Sequence, residues 1–229
     1  FRFPLQDRYG QGQRGIYDSE DRWSWGDRIS ERSGGADEFD TSGEFFIDQN
    51  GTIHYPITAK NSQQTFIDEN FDQVFQNGYF WENNLSLTAG NETGNVFFSL
   101  SHLDQEGIIR DNSDYSRTTA RFNGEQLMNE KLVLNVNLNY TRTSSNRIRR
   151  GAQSSGLYLG LLRTAPDFNN SGYRGEYFSG PDASPVQNRH RSYRNPLGAS
   201  AAPGYNNPLW TTNEQEDLAV IDRFISNFK

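Results

Sequence analysis

The chain has 229 residues, 33% of them hydrophobic and 22% charged, with a formal net charge of -7. The low hydrophobic share and negative mean hydropathy leave little to fill one large core. The acidic balance argues against nucleic acid as a partner, since phosphate binding needs concentrated Lys and Arg. The absence of Cys excludes disulfides and thiolate metal sites.

Aromatics nevertheless reach 14%, with 16 Phe, 11 Tyr and 4 Trp, and Gly contributes 21 residues. That balance fits short strands, tight turns and long polar loops better than disorder. No apolar run approaches the roughly 18 to 20 residues of a membrane helix, which excludes a helical span but not a barrel. The chain begins at Phe1 without a leader pattern and ends at Phe228-Lys229 in mid-pattern, so it is expected to be a piece of a longer protein.

Residues 1 to 78 read as a loop-rich region with local structure. "GEFFID" and "GTIHYPI", separated by Gln49-Asn50-Gly51, predict a hairpin. "FIDENFDQVFQNG" spaces Phe66, Ile67, Phe71, Val74 and Phe75 as on a helix, with Gly78 as its cap.

From Tyr79 the period becomes 2. "YFWENNLSLTAGN" predicts a strand with Tyr79, Trp81, Leu85, Leu87 and Ala89 on one face. A tight turn at Gly90 to Gly94 leads to "NVFFSLSHL", with Val96, Phe98, Leu100 and His102 on one face. A longer connection at 104 to 113 leads to "YSRTTARFNGEQL", and a turn at Met128 to Glu130 leads to "KLVLNVNLNYTRTSSNR". In that last run Leu132, Leu134, Val136, Leu138 and Tyr140 oppose a face of mostly Asn. The four-strand meander spans 79 to 142, each run about 9 to 12 residues long, against about 5 to 6 for an average globular strand.

Residues 143 to 215 read as a long polar loop, with one possible helix at "SSGLYLGLLRTA", and 216 to 229 as a further strand. Short turns thus fall at one end of the meander and long connections at the other, the asymmetry of outer-membrane barrels. The predicted fold class is all-β: an antiparallel meander, part of a transmembrane β-barrel with long extracellular loops. A secreted, soluble β-sandwich that binds carbohydrate uses the same alternation with the apolar face inward.

Five blocks carry a family resemblance: "YGQGQRGIYDSEDRWSWGDRI" from Tyr9, "LTAGNETGNVFFSLSHLDQEGIIRDNSDYSRTTARFN" from Leu87, "KLVLNVNLNYTRT" from Lys131, "GLLRTAPDF" from Gly160 and "NNPLW" from Asn206. Their order and separation resemble the barrel of SusC/RagA-type TonB-linked outer-membrane transporters. The resemblance implies a barrel of about 22 strands around a plug. It also implies energy from TonB through the N-terminal part that this chain lacks, and a SusD-like surface lipoprotein that helps capture oligosaccharide or peptide substrates. Plug, TonB box and closing strand are absent, so the fragment alone is not expected to transport. The implied location is the outer membrane, with lipid as a further partner.

No catalytic motif stands out, and neither an enzyme activity, a cofactor nor a metal is expected. His54, His102 and His190 lack helical zinc spacing. Asp104 with Glu106, and Asp111 with Asp114, read as solvated loop charge, the alternative being the paired carboxylates of a glycan-degrading enzyme. "DQNGT" from Asp48 has the look of a calcium loop without its downstream acid, and the cluster Arg147, Arg149 and Arg150 reads as a solvated loop. Trp23, Trp25, Tyr205 and Trp210 stand in Gly- and Asn-rich segments, where such rings stack on sugars, and are the candidate substrate-binding residues.

Overall fold

The computed structural model describes residues 5–148, 151, 155–201 and 204–229, and is 46% strand and 10% helix with antiparallel sheets. Arg149 and Arg150, and Ser154 at the head of the expected helix, lie outside the described residues. The chain divides into two compact units, one made of Gln76–Arg147 with Glu216–Lys229 and the other of Phe1–Phe75 with Ile148–Gln215.

The first unit is a five-stranded antiparallel sheet of β1 (Tyr79–Asn91), β2 (Gly94–Glu106), β3 (Asp114–Asn129), β4 (Leu132–Asn146) and β5 (Leu218–Phe228), each strand beside its chain neighbour. At 13, 13, 16, 15 and 11 residues, most strands exceed the expected length. The polar ends Asp104–Glu106 and Ser144–Asn146 keep pairing through their backbones, which needs no apolar side chain. Asp104 and Glu106 therefore lie on a strand and not in the 104 to 113 connection, which shortens to residues 107–113.

Register aligns the alternation across all five strands. Leu85, Leu100, Ala120, Tyr140 and Phe224 form one row, and Leu87, Phe98, Phe122, Leu138 and Ser226 the next. Ala89, Val96, Gly124, Val136 and Phe228 follow. In these rows all but Gly124 and Ser226 are apolar. The reverse face carries rows such as Asn84, Ser101, Thr119, Thr141 and Arg223, although Phe80, Phe97, Leu103, Leu127, Val133, Ile221 and Ile225 interrupt it. A Cβ at Gly124 would stand 3.2 Å from the Phe122 ring, so glycine leaves that ring its place in the apolar row.

Both hairpin turns contain two residues and are closed by asparagine. The Asn91 Oδ1 accepts from the N–H of Thr93 and of Gly94 at 2.9 and 3.0 Å. Asn129 Oδ1 accepts from the Lys131 N–H at 2.9 Å. The second turn is thus Glu130-Lys131, one residue beyond the expected end, because Asn129 and not the last apolar residue sets it.

The second unit holds small sheets and short helices. Val186–His190, Arg174–Phe178, Phe45–Asp48 and Ile53–His54 form a four-stranded sheet, and the last two are the expected Asn-Gly hairpin, with Gly51 at φ +82°. Helices span Ile67–Asp72, Leu157–Arg163 and Pro208–Asn213. The first ends at Asp72, so Gly78 is not its cap. A Cβ at Gly78 would come 2.8 Å from the Glu106 carbonyl oxygen, and close strand packing is what requires the glycine. Phe46, Leu157, Leu161, Val74 and Tyr193 are buried, but so are Gln11, Asn70, Asp167, Asn170, Asn207, Thr211 and Thr212. Buried amides take over part of the role of an apolar core.

Candidate functional site

Two buried polar braces shape the second unit. Arg32 donates from Nε to Asp27 Oδ2 at 2.7 Å and from Nη2 to Asp167 Oδ2 at 2.7 Å, and from Nη1 to the Ser62 carbonyl at 3.0 Å. The second carboxylate oxygen of Asp167 accepts from the Gln11 N–H at 3.2 Å. A Cβ at Gly10 would lie 2.0 Å from Arg32 Nη2 and 2.6 Å from Asp167 Oδ2, so only glycine lets the chain pass this cluster. The arginine side chain is 2% exposed, a burial that only such pairing tolerates.

The second brace centres on Asn207, which caps the last helix by accepting the Leu209 N–H at 2.9 Å and donates to the carbonyls of Asn170 and Arg191. Its own N–H donates to His190 Nε2 at 2.8 Å, which fixes that nitrogen as an acceptor and the imidazole as neutral. Burial pushes His190 down to about 4, in agreement. Trp210 stacks on this ring with centroids 4.6 Å apart.

A cavity of about 590 Å³ opens in the same unit. Tyr17, Tyr55 and Phe168 supply aromatic wall, and Asn169, Asn195 and Ser200 supply polar groups. Of its charged groups, Lys60 is paired with Asp37 at 2.5 Å, Asp167 belongs to the first brace, and Glu44 accepts from the Tyr177 hydroxyl at 2.7 Å. Arg191 lies over the Phe168 ring at 4.5 Å, and burial lowers its pKa to about 10. Burial, reinforced by Asp167, raises the Tyr17 phenol well above its ordinary range and keeps it a proton donor.

None of the four aromatic candidates lines this cavity. Trp23 and Tyr205 are brought together by Arg163, whose guanidinium lies 5.6 Å from one ring and 5.3 Å from the other. Trp25 is 59% exposed beside Tyr9, whereas Trp210 belongs to the Asn207 brace. The histidines lie apart: His102 meets Thr118 Oγ1 at 2.9 Å on the sheet, and His54 meets Asp48 Oδ2 at 2.9 Å. Burial and the Arg191 charge lower the His54 pKa, so this contact is a neutral imidazole donating to a carboxylate. Asp48 also accepts from the N–H groups of Asn50 and Thr52, so the "DQNGT" carboxylate closes a turn. Asp111 sits in the loop at φ +58°, and Asp114 opens β3. Among the described residues no three His, Asp or Glu side chains form a metal-holding group.

Sequence reading missed Tyr17, Tyr55, Arg191 and Arg194 as cavity residues, since nothing local marks them. It also missed the Pro208–Asn213 helix, for which Asn207-Pro208 was a readable N-cap and first-turn signal. No protein-family model matches the chain, and no curated protein matches it.

Proposed function

We propose that the chain is a barrel segment of a SusC/RagA-like, TonB-dependent outer-membrane importer of oligosaccharides or peptides that works with a SusD-like lipoprotein. The observation that carries this reading is the apolar face shared by five long strands. Leu85, Leu87, Phe224 and Phe228 on it are each more than 60% exposed, and a soluble monomer rarely leaves such a face in water. A 13-residue strand is about 44 Å long and rises about 30 Å when tilted by 45°, which matches the hydrocarbon thickness of a bilayer. The two-residue turns lie at one end of the sheet, and the connections 107–113 and 147–217 at the other, as in outer-membrane barrels.

The braces give the resemblance a physical content. Asp27 and Asp167, from two of its blocks, share Arg32, and Asn207 of a third caps a helix and holds His190. These residues act as architecture, and ligand contact falls to the exposed Trp23 and Trp25 and to the cavity. Envelope fractionation with an antibody against residues 155–201 tests the reading. It expects an outer-membrane band that migrates differently before and after boiling; a heat-indifferent band confined to the soluble fraction would refute it.

A further inference from the structure

We infer that the cavity of the second unit binds a carboxylate-bearing sugar, with Arg191 as the group that holds the carboxylate. Arg191 is 8% exposed, and its side chain is fixed by three backbone carbonyls: Nε donates to Pro196 at 2.9 Å, and Nη1 to Asn169 and Ser171 at 3.0 and 3.2 Å. Phe168 covers one face of the guanidinium. Nη2 has no hydrogen-bond partner among the described residues, yet Arg191 lines the cavity. A buried guanidinium held rigidly through two of its three nitrogens, on a residue that lines a cavity, is a preorganised anion site, because its ordering cost is met on folding.

A second guanidinium lines the same cavity. Lys60 is neutralised by Asp37, Asp167 shares the one Arg32 guanidinium with Asp27, and Arg194 also lines the space and stacks on Tyr205 at 4.6 Å. The carboxylates that line the cavity are Asp167, Glu44, engaged by Tyr177, and the exposed Glu20, and Asp48, held by His54, also acts on Arg191. Tyr17, with Arg32 at 5.6 Å over its ring, and Tyr55 offer aromatic wall for a pyranose, and Asn169 offers an amide for hydroxyls. The sugar half of the assignment rests on the importer reading, whereas the carboxylate half rests on Arg191 and stands without it.

Calorimetric titration of the full chain in detergent tests both halves with three probes: tri-galacturonate, the neutral trigalactose, and the acidic tripeptide Gly-Gly-Glu. Tri-galacturonate is expected to bind at least about tenfold more tightly than the other two. Equal binding of the neutral sugar, or no binding of tri-galacturonate, overturns the carboxylate assignment; a preference for the peptide overturns the sugar. Arg191→Gln is expected to weaken tri-galacturonate by about tenfold or more. Because that change also removes the three carbonyl bonds, Asn169→Asp serves as a second variant. It keeps the side-chain shape, places a negative charge on the cavity wall and is expected to weaken the same probe by a similar factor; an unchanged affinity would contradict the site. Neither readout depends on where the sheet sits, so failure here and failure of the membrane reading are separable.

Discussion

The two units solve the same shortage of apolar residues in opposite ways. The sheet places most of its apolar side chains in rows on one exposed face, interrupted by the polar row of Asn83, His102, Thr118, Arg142 and Asp222. The other unit buries few large apolar side chains and joins distant segments through guanidinium, carboxylate and amide groups that are almost fully enclosed. A repeated local pattern tolerates single changes, because each strand position contributes one small increment. A brace does not, because removing one partner strands the others without solvent.

The sharpest way to break that contrast is Arg32→Met, which leaves Asp27 and Asp167 unpaired. It is expected to destabilise the second unit by about 3 to 5 kcal/mol, read from urea unfolding of its near-UV signal. A loss below about 1 kcal/mol would show that the cluster is more hydrated than its burial implies.

Acid should act on the same unit. His190 is held neutral with a pKa of about 4, below its ordinary 6.5, so the unfolded chain binds a proton that the folded chain refuses. Stability is therefore full above pH 6.5, falls as pH drops toward 4, and levels off below, for a total of about 3 kcal/mol. His54, also lowered by burial, adds in the same direction. His190→Gln should flatten much of the slope between pH 6.5 and 4; an unchanged slope would remove His190 as its source.

Asn207→Ala removes a helix cap and two buried donors, with an expected cost of about 2 kcal/mol. At the small end, Thr119→Ser on the polar face of β3 should change stability by less than about 0.5 kcal/mol. A large effect there would mean that this face is packed and not wet.

The same contrast decides what the sequence makes legible. Period 2 is local, so the meander, its apolar face and the hairpin at Asn50-Gly51 can be read directly. Strand ends are read too short where Asp104, Glu106, Ser144 and Asn146 continue the ladder with polar side chains, since pairing is a backbone property. The braces and the cavity are illegible for a different reason. Arg32 and Asp167 are 135 positions apart, and Gln11 reaches the Tyr193 carbonyl across 182, distances over which no spacing rule operates. Loop aromatics such as Trp210 invite a binding role, yet its ring contacts, with His190 and Tyr173, are internal.

Because the chain contains no Cys, single cysteines can report each face of the sheet separately, and this tests the central claim most directly. Spin labels at Leu87→Cys and Leu138→Cys on the apolar rows, and at Ser99→Cys and Thr141→Cys on the reverse face, would be read in native outer-membrane preparations for collision with oxygen and with a water-soluble nickel chelate. The account predicts high oxygen and low chelate accessibility at Leu87 and Leu138, and the opposite at Ser99 and Thr141. Exclusion of both reagents from Leu87 and Leu138 would place the apolar face against protein instead of lipid and contradict the account.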